Sequence, residues 1–159
     1  MRGGNILGIM KKINFKNKKV GIWGMGIVGK SALNYVQQFT DQIQIMDQSS
    51  DAAYIAQTPE NITSFLEHND FIIPSPGIML HNYQHYAHKF VQELDIFAQE
   101  NKNYTVAITG TVGKTTVTSL LQQCIPDAIA AGNIGHAMLN LVTNPPSVIP
   151  GFERESKSL

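Results

Sequence analysis

Apolar positions along the chain alternate between short solid runs and longer helical spacings. Val20–Trp23 is an uncharged run of the kind found in strands buried on both faces. From Lys30 to Phe39 the apolar residues fall at 32, 33, 35, 36 and 39, a helical spacing. Ile43–Met46 predicts a second strand, closed by Asp47, and Asn61–His68 predicts a helix. Asp70–Ile73 predicts a third strand, which Pro74, Pro76 and Gly77 force into a loop. Residues 81–99 read mostly as helix, Tyr104–Ile108 as a strand, Val117–Gln123 as a helix and Ile129–Ala131 as a short strand. Repeated strand–helix alternation predicts an α/β fold with a parallel sheet and right-handed crossovers. The polar stretch at 99–103 separates two apolar patterns, so the chain divides into units 1–99 and 104–143. From Asn144 onward three prolines break both helix and strand, and residues 144–159 read as an irregular tail.

Two glycine-rich turns lie where strands give way to helices. Gly24–Gly29 matches Gly-x-Gly-x-x-Gly after the first strand. Asp47 ends the next strand, where a dinucleotide fold places its ribose-binding acid. Glycines there admit close backbone approach to a diphosphate, and the helix start favours its charge; the alternative is a tight structural turn. The second turn, Thr109–Thr116, reads Thr-Gly-Thr-Val-Gly-Lys-Thr-Thr. Strand, glycine-rich loop, Lys-Thr and helix form the order that cradles a nucleoside triphosphate. Lys114 would reach the β/γ-phosphate oxygens and the Thr115 hydroxyl would sit on Mg²⁺. Ile108 stands where the common phosphate-loop pattern has its first glycine, so this is a shorter variant.

Two further loops are candidates by position. Ser75–Ile78 follows a predicted strand at the edge that faces the ligand crevice of an open parallel sheet. In Gly132–Gly135, Asn133 offers both a donor and an acceptor. Each has a plain turn as its alternative. His81, His85 and His88 share a helical spacing, but the nearest following acid is Glu93, which favours a solvated face over a metal site.

Composition narrows the classes. Hydrophobic residues make up 43% of 159, enough for a packed core, and the formal charge of zero argues against a nucleic-acid binder with a broad basic surface. Six of the 12 Lys and Arg lie within residues 1–19, which contain no acid and read as a solvated lead-in. A single cysteine, Cys124, excludes an internal disulfide framework and fits a reducing cytoplasm. No apolar run reaches the ~18–20 residues of a membrane span, and none near the N-terminus suits a signal peptide. Met10, before Lys11 and Lys12, is a candidate alternative start.

Gly24–Ser31, Ser75–Ile78, Ile108–Thr116 and Gly132–Gly135, in this order and spacing, resemble the Mur ligase family, ATP-dependent amide ligases of peptidoglycan assembly. Glu93–Phe97 also resembles the acidic helix segment before that family's central domain. The likeness spans about residues 18–142 and is greatest to the D-glutamate-adding members. It implies a Rossmann-like first domain holding the UDP of a sugar substrate, followed by the start of a phosphate-loop ATP-binding central domain. Ile27 and Val28 would lie at the diphosphate, Asp47 near the uracil, and Ser75, Pro76 and Gly77 along the substrate crevice, with Asn133 near the substrate. Gly110, Thr111, Gly113, Lys114, Thr115 and Thr116 would bind ATP, with Thr115 on Mg²⁺ and Lys114 and Thr115 serving catalysis. UDP-N-acetylmuramoyl-L-alanine and D-glutamate would be the substrates. Val112 departs from the family's usual Asn. The family's later metal-binding Glu, modified Lys and third domain do not follow, so the resemblance implies an N-terminal fragment with little ligase activity alone. The alternatives are an NAD-binding oxidoreductase module and a non-catalytic nucleotide-binding remnant. The sequence leaves the oligomeric state open.

Overall fold

The strand Val20–Trp23 (β1) lies at the heart of a parallel four-stranded sheet with order β3-β2-β1-β4. The computed structural model describes residues 12–49, 51–132 and 136–143. The expected tail 144–159, the candidate start Met10 and the candidate ligand residue Asn133 lie outside them. The helix Ile27–Val36 (α1) follows β1, then come Ile43–Asp47 (β2), Ile55–Ala56 (β3), the helix Pro59–His68 (α2) and Phe71–Pro74 (β4). Val20 pairs with Ile43 on one side and Phe71 on the other, and Trp23 with Met46 and Pro74. All four β1 residues are buried, because helices cover both faces of the sheet.

Strand alternation sends successive side chains to opposite faces. On one face Val20 and Ile73 pack with Ala32, Tyr35 and Val36 of α1 and with Ile96 and Leu139. On the other, Trp23, Met46 and Ile72 pack with Ile62, Phe65 and Leu66 of α2. Thr58 accepts the Asn61 N–H at 3.3 Å and caps the start of α2, with Pro59 in the first turn. Lys89 closes its other end, donating to the Leu66 and Glu67 carbonyls at 2.8 and 3.0 Å. Among the described residues, the buried Trp23 Nε1 and Asn69 Oδ1 find no hydrogen-bond partner.

Past β4 the structure departs from the pattern. The expected helix over 81–99 is two pieces: a 3₁₀ segment, Leu80–Lys89, broken at Tyr83, and a helix, Glu93–Glu100 (α3). Gln92 and Asp95 start α3 with a reciprocal capping box. The expected strand at 104–108 joins no sheet, and residues 102–107 are exposed. A parallel strand exists only through a neighbour's ladder bonds, and no described strand lies beside this one. Ile129–Ala131 likewise contributes only a bridge, Ala131 to His136. The helix after the second glycine turn forms as expected, Lys114–Cys124 (α4), but without an accompanying sheet. The last described turn of helix, Asn140–Thr143 (α5), packs against α1, and Leu139 is fully buried in the core of the first unit.

Phe65 is 1% exposed and meets the Trp23 ring edge to face at 6.2 Å. Phe65→Ala is expected to lower unfolding stability by about 3–5 kcal/mol, read from the midpoint of urea denaturation.

Candidate functional site

The carboxyl ends of β1, β2 and β4 carry the first glycine turn, Asp47 and Ser75. The chain runs from β1 to β2 on one side and reaches β4 on the other, so the crevice opens at the point where strand order reverses. Two of the three glycines are required by the turn itself. Gly24 has φ +93°, and a side chain there would also crowd the Ser75 hydroxyl. Gly29 lies against the Gly24 carbonyl, where a Cβ would fall 1.9 Å from the oxygen. Gly26 is different. Its φ of −69° suits any residue and a Cβ would meet nothing within 4 Å. The fold does not call for glycine there, whereas the close approach of a ligand to the backbone would.

The ends of β2 and β4 hold this turn. The Gly24 N–H donates to the Met46 carbonyl at 2.7 Å, and the Ser75 hydroxyl donates to the Gly24 carbonyl at 2.9 Å. The Asp47 carboxylate accepts the Met25 N–H at 2.5 Å and the Ser49 N–H at 2.7 Å. The Met25 bond, followed by the Ser49 bond, holds the Asp47 carboxyl below the ordinary carboxylate range. Asp47 therefore clamps the glycine turn, a role beyond the ligand contact expected of it. α1 begins immediately after, with no side-chain cap and no acid in its first turn, so its first backbone N–H groups favour an anion. Ile27, 73% exposed, opens α1 at the rim.

A recess of about 160 Å³ is lined by Val28, Pro74 and Pro76, by Gln92, Glu93 and Leu94, and by Gly132 and Met138. Ser75 and Gly77 neighbour Pro74 and Pro76 in the chain, and a Cβ at Gly77 would also meet open space. Thus Ile27, Val28, Asp47, Ser75, Pro76 and Gly77 gather on one edge of the sheet. Glu93 is the residue that sequence reasoning passed over as a lining residue of this recess. It is 8% exposed, burial raises its carboxyl above the ordinary value, and backbone N–H groups of Leu139 and Met138 partly counter that rise. Its phase in the Ile96–Phe97 apolar pattern of α3 is the only sequence signal that it turns inward.

The second turn forms a separate surface. Gly110 and Gly113 have φ of +141° and +80°, and Gly113 leads directly into α4. Lys114 folds back over its own loop, donating to the carbonyls of Gly110 and Thr111. Thr111, Thr115 and Thr116 are exposed, as is Val112. None of Gly110, Thr111, Gly113, Lys114, Thr115 or Thr116 lines the recess. The loop geometry suits a phosphate, with a left-handed glycine, an uncapped helix start and a lysine ammonium already over the loop. Among the described residues no group of three His, Cys, Asp or Glu side chains is placed to hold a metal ion, and no helix is long and apolar enough to cross a membrane.

Comparison with known proteins finds the same likeness. A protein from Buchnera aphidicola subsp. Schizaphis graminum is 26% identical over 85% of this chain and 34% of its own length. One from Buchnera aphidicola subsp. Baizongia pistaciae is 32% identical over 81% of this chain and 34% of its own, and one from Idiomarina loihiensis is 33% identical over 94% and 40%. All three are named UDP-N-acetylmuramoylalanine–D-glutamate ligase. The chain resembles the Mur ligases along most of its length. It spans about a third to two fifths of the length of these relatives. No family model matches it.

The contrast among the glycines is measurable. Gly29→Ala is expected to destabilise the fold by about 2 kcal/mol or more, because backbone must shift to admit the methyl. Gly26→Ala is expected to stay within about 1 kcal/mol of wild type by thermal unfolding while losing ligand affinity. For Asp47 the folded carboxyl titrates below the unfolded one, so its stabilisation is complete above the ordinary carboxylate pKa and fades as pH falls through the lowered value. Asp47→Asn is expected to lose about 1 kcal/mol at neutral pH, a figure reduced for solvent screening, with the gap from wild type closing below about pH 4. Urea titrations of both proteins across pH test this.

Proposed function

We propose that this chain is the nucleotide-sugar-binding portion, with the adjoining ATP loop, of a ligase that adds D-glutamate to UDP-N-acetylmuramoyl-L-alanine. One observation carries the reading. The match to the Idiomarina loihiensis relative covers 94% of the chain, which leaves no room to omit either glycine turn. A dehydrogenase uses the first turn and has no need of the second, whereas an ATP-dependent ligase acting on a nucleotide sugar uses both.

In this reading the α1 start and Gly26 take the diphosphate, and Ile27 and Val28 line its path. Asp47 and Ser75 hold the turn rigid for that contact, Asp47 with a face toward the uracil. Pro76 and Gly77 lead the sugar along the crevice, and Asn133 contributes a contact to the substrate. Lys114 leaves the carbonyls of Gly110 and Thr111 and moves onto the transferring phosphate, neutralising charge as it develops. The N–H groups of Gly113, Lys114, Thr115 and Thr116 hold the remaining phosphate oxygens, and the Thr115 hydroxyl would hold Mg²⁺, which supplies further charge neutralisation when bound. In the reaction the substrate carboxylate attacks the γ-phosphorus and ADP leaves. The D-glutamate amine then attacks the acyl carbon, gives up a proton and displaces phosphate to leave the amide. The protein's part is positioning and electrostatics. Val112, 90% exposed, offers no side-chain hydrogen bond, so ATP contact there rests on the backbone. A cytoplasmic setting, where both substrates and ATP meet, follows from the same reading.

Calorimetry decides between nucleotides. UDP-N-acetylmuramoyl-L-alanine is expected to bind at least about tenfold more tightly than NAD. Tighter NAD binding would replace this reading with an oxidoreductase module built on Gly24–Gly29 and Asp47. Lys114→Ala is expected to weaken ATP binding by about tenfold or more and leave the nucleotide-sugar affinity unchanged.

A further inference from the structure

Glu93 stands in the first turn of α3, where a glutamate ordinarily points to solvent and gains from the helix dipole. Here it does the opposite. The residue is 8% exposed and its carboxylate reaches 46 positions along the chain to accept the Leu139 N–H at 3.2 Å, with the Met138 N–H bearing on the same group. No cation pairs with it among the described residues, so backbone dipoles alone offset its desolvation. A buried carboxylate held in this way is specific to the groups it meets, because moving them leaves the charge without partners.

What it meets is the backbone that carries Met138, a lining residue of the recess. Leu139 inserts, fully buried, among Ala32, Tyr35, Ile73 and Ile96. Asn140 accepts the buried Ser31 hydroxyl at 2.7 Å. Upstream, His136 and Gly132 are joined by a backbone bond of 2.8 Å. Met138 and Gly132 are thus tied at one end to a core anchor and at the other to a bridge, and both line the recess with Val28, Pro74 and Pro76. Ser31 and Leu139 fix where the segment docks on α1. Among the described residues, Glu93 is the side chain lining the recess that bonds the backbone at Leu139.

We propose that Glu93 is a positioning residue: it latches the backbone of Met138 and Leu139 and thereby sets where Met138 lines the recess beside Val28, Pro74 and Pro76 in the nucleotide-sugar crevice. The ligand consequence rests on the functional reading above; the latch itself does not. Hydrogen exchange of the 159-residue chain tests the latch without any ligand. In Glu93→Ala the Met138 and Leu139 amides are expected to exchange about tenfold faster than in wild type, with β1 and α1 amides unchanged. Glu93→Gln keeps a carbonyl acceptor at the same reach and is expected to stay within about threefold of wild type, while Glu93→Asp, one methylene shorter, follows the alanine variant. Gln and Asp decide the matter if the alanine variant does not fold. Unchanged exchange at 138 and 139 in Glu93→Asp, an equal rise in β1, or a glutamine variant as fast as aspartate each overturns the latch. Calorimetry reads the consequence: Glu93→Asp is expected to lose about tenfold in affinity for UDP-N-acetylmuramoyl-L-alanine and none for UDP, which lacks the sugar and alanine that would enter the recess. Equal loss for both ligands overturns the positioning role. Wild-type protein that binds neither ligand overturns the nucleotide-sugar reading, and exchange still decides the latch.

Discussion

The contact between Gly29 and the Gly24 carbonyl is the constraint on which the rest depends. With no room for even a methyl between them, α1 starts at the mouth of β1 and lies flat along the sheet. That placement brings Ala32, Tyr35 and Val36 onto Val20 and Ile73, closing one face of the core. It also presents the first N–H groups of α1 at the strand edge, beside Asp47 and Ser75. The same short distance therefore sets both the packing of α1 and the placement of its first N–H groups. A larger residue at 29 would push the helix away from the sheet and move the turn that Met46, Asp47 and Ser75 hold from three sides.

The first unit was largely legible in the sequence because its signals are local and its strands are central. β1, β2, β4 and α2 fall within a residue or two of the expected spans. α1 begins at Ile27 and ends at Val36, earlier at both ends than the apolar spacing at 30–39 indicates, because glycines 26 and 29 disguise its first turn. β3 went unseen: it is two residues long, at the sheet edge, with too few positions for any period. The 3₁₀ segment carries helix-like spacing, but Tyr83 sits at φ −121°, ψ 27° and breaks it. Tyr104–Ile108 has a strand's composition without a strand's neighbours, and composition cannot supply a ladder.

The site divides along the same line. The positions of Asp47 and Ser75 at strand ends were readable, since a parallel sheet fixes which edge its loops occupy. Their bonds to the glycine turn were not, because each depends on the twist that brings three strand ends together. Glu93 was further out of reach. Its partner is 46 residues away, and sequence spacing carries no information about a contact made through the core.

The two glycine turns differ in what holds them, and the difference bears on how each would bind. The first is fixed by long-range bonds from β2 and β4, so its N–H groups are oriented before any ligand arrives and little ordering remains to be done on binding. The second is held by short-range contacts: Lys114 onto Gly110 and Thr111, and Thr118 onto the Lys114 carbonyl. A phosphate must displace the lysine from those carbonyls, and α4 has no buried residue to resist the movement. Preorganisation is therefore greater at the first turn than at the second, whatever the intrinsic strength of the two sets of donors.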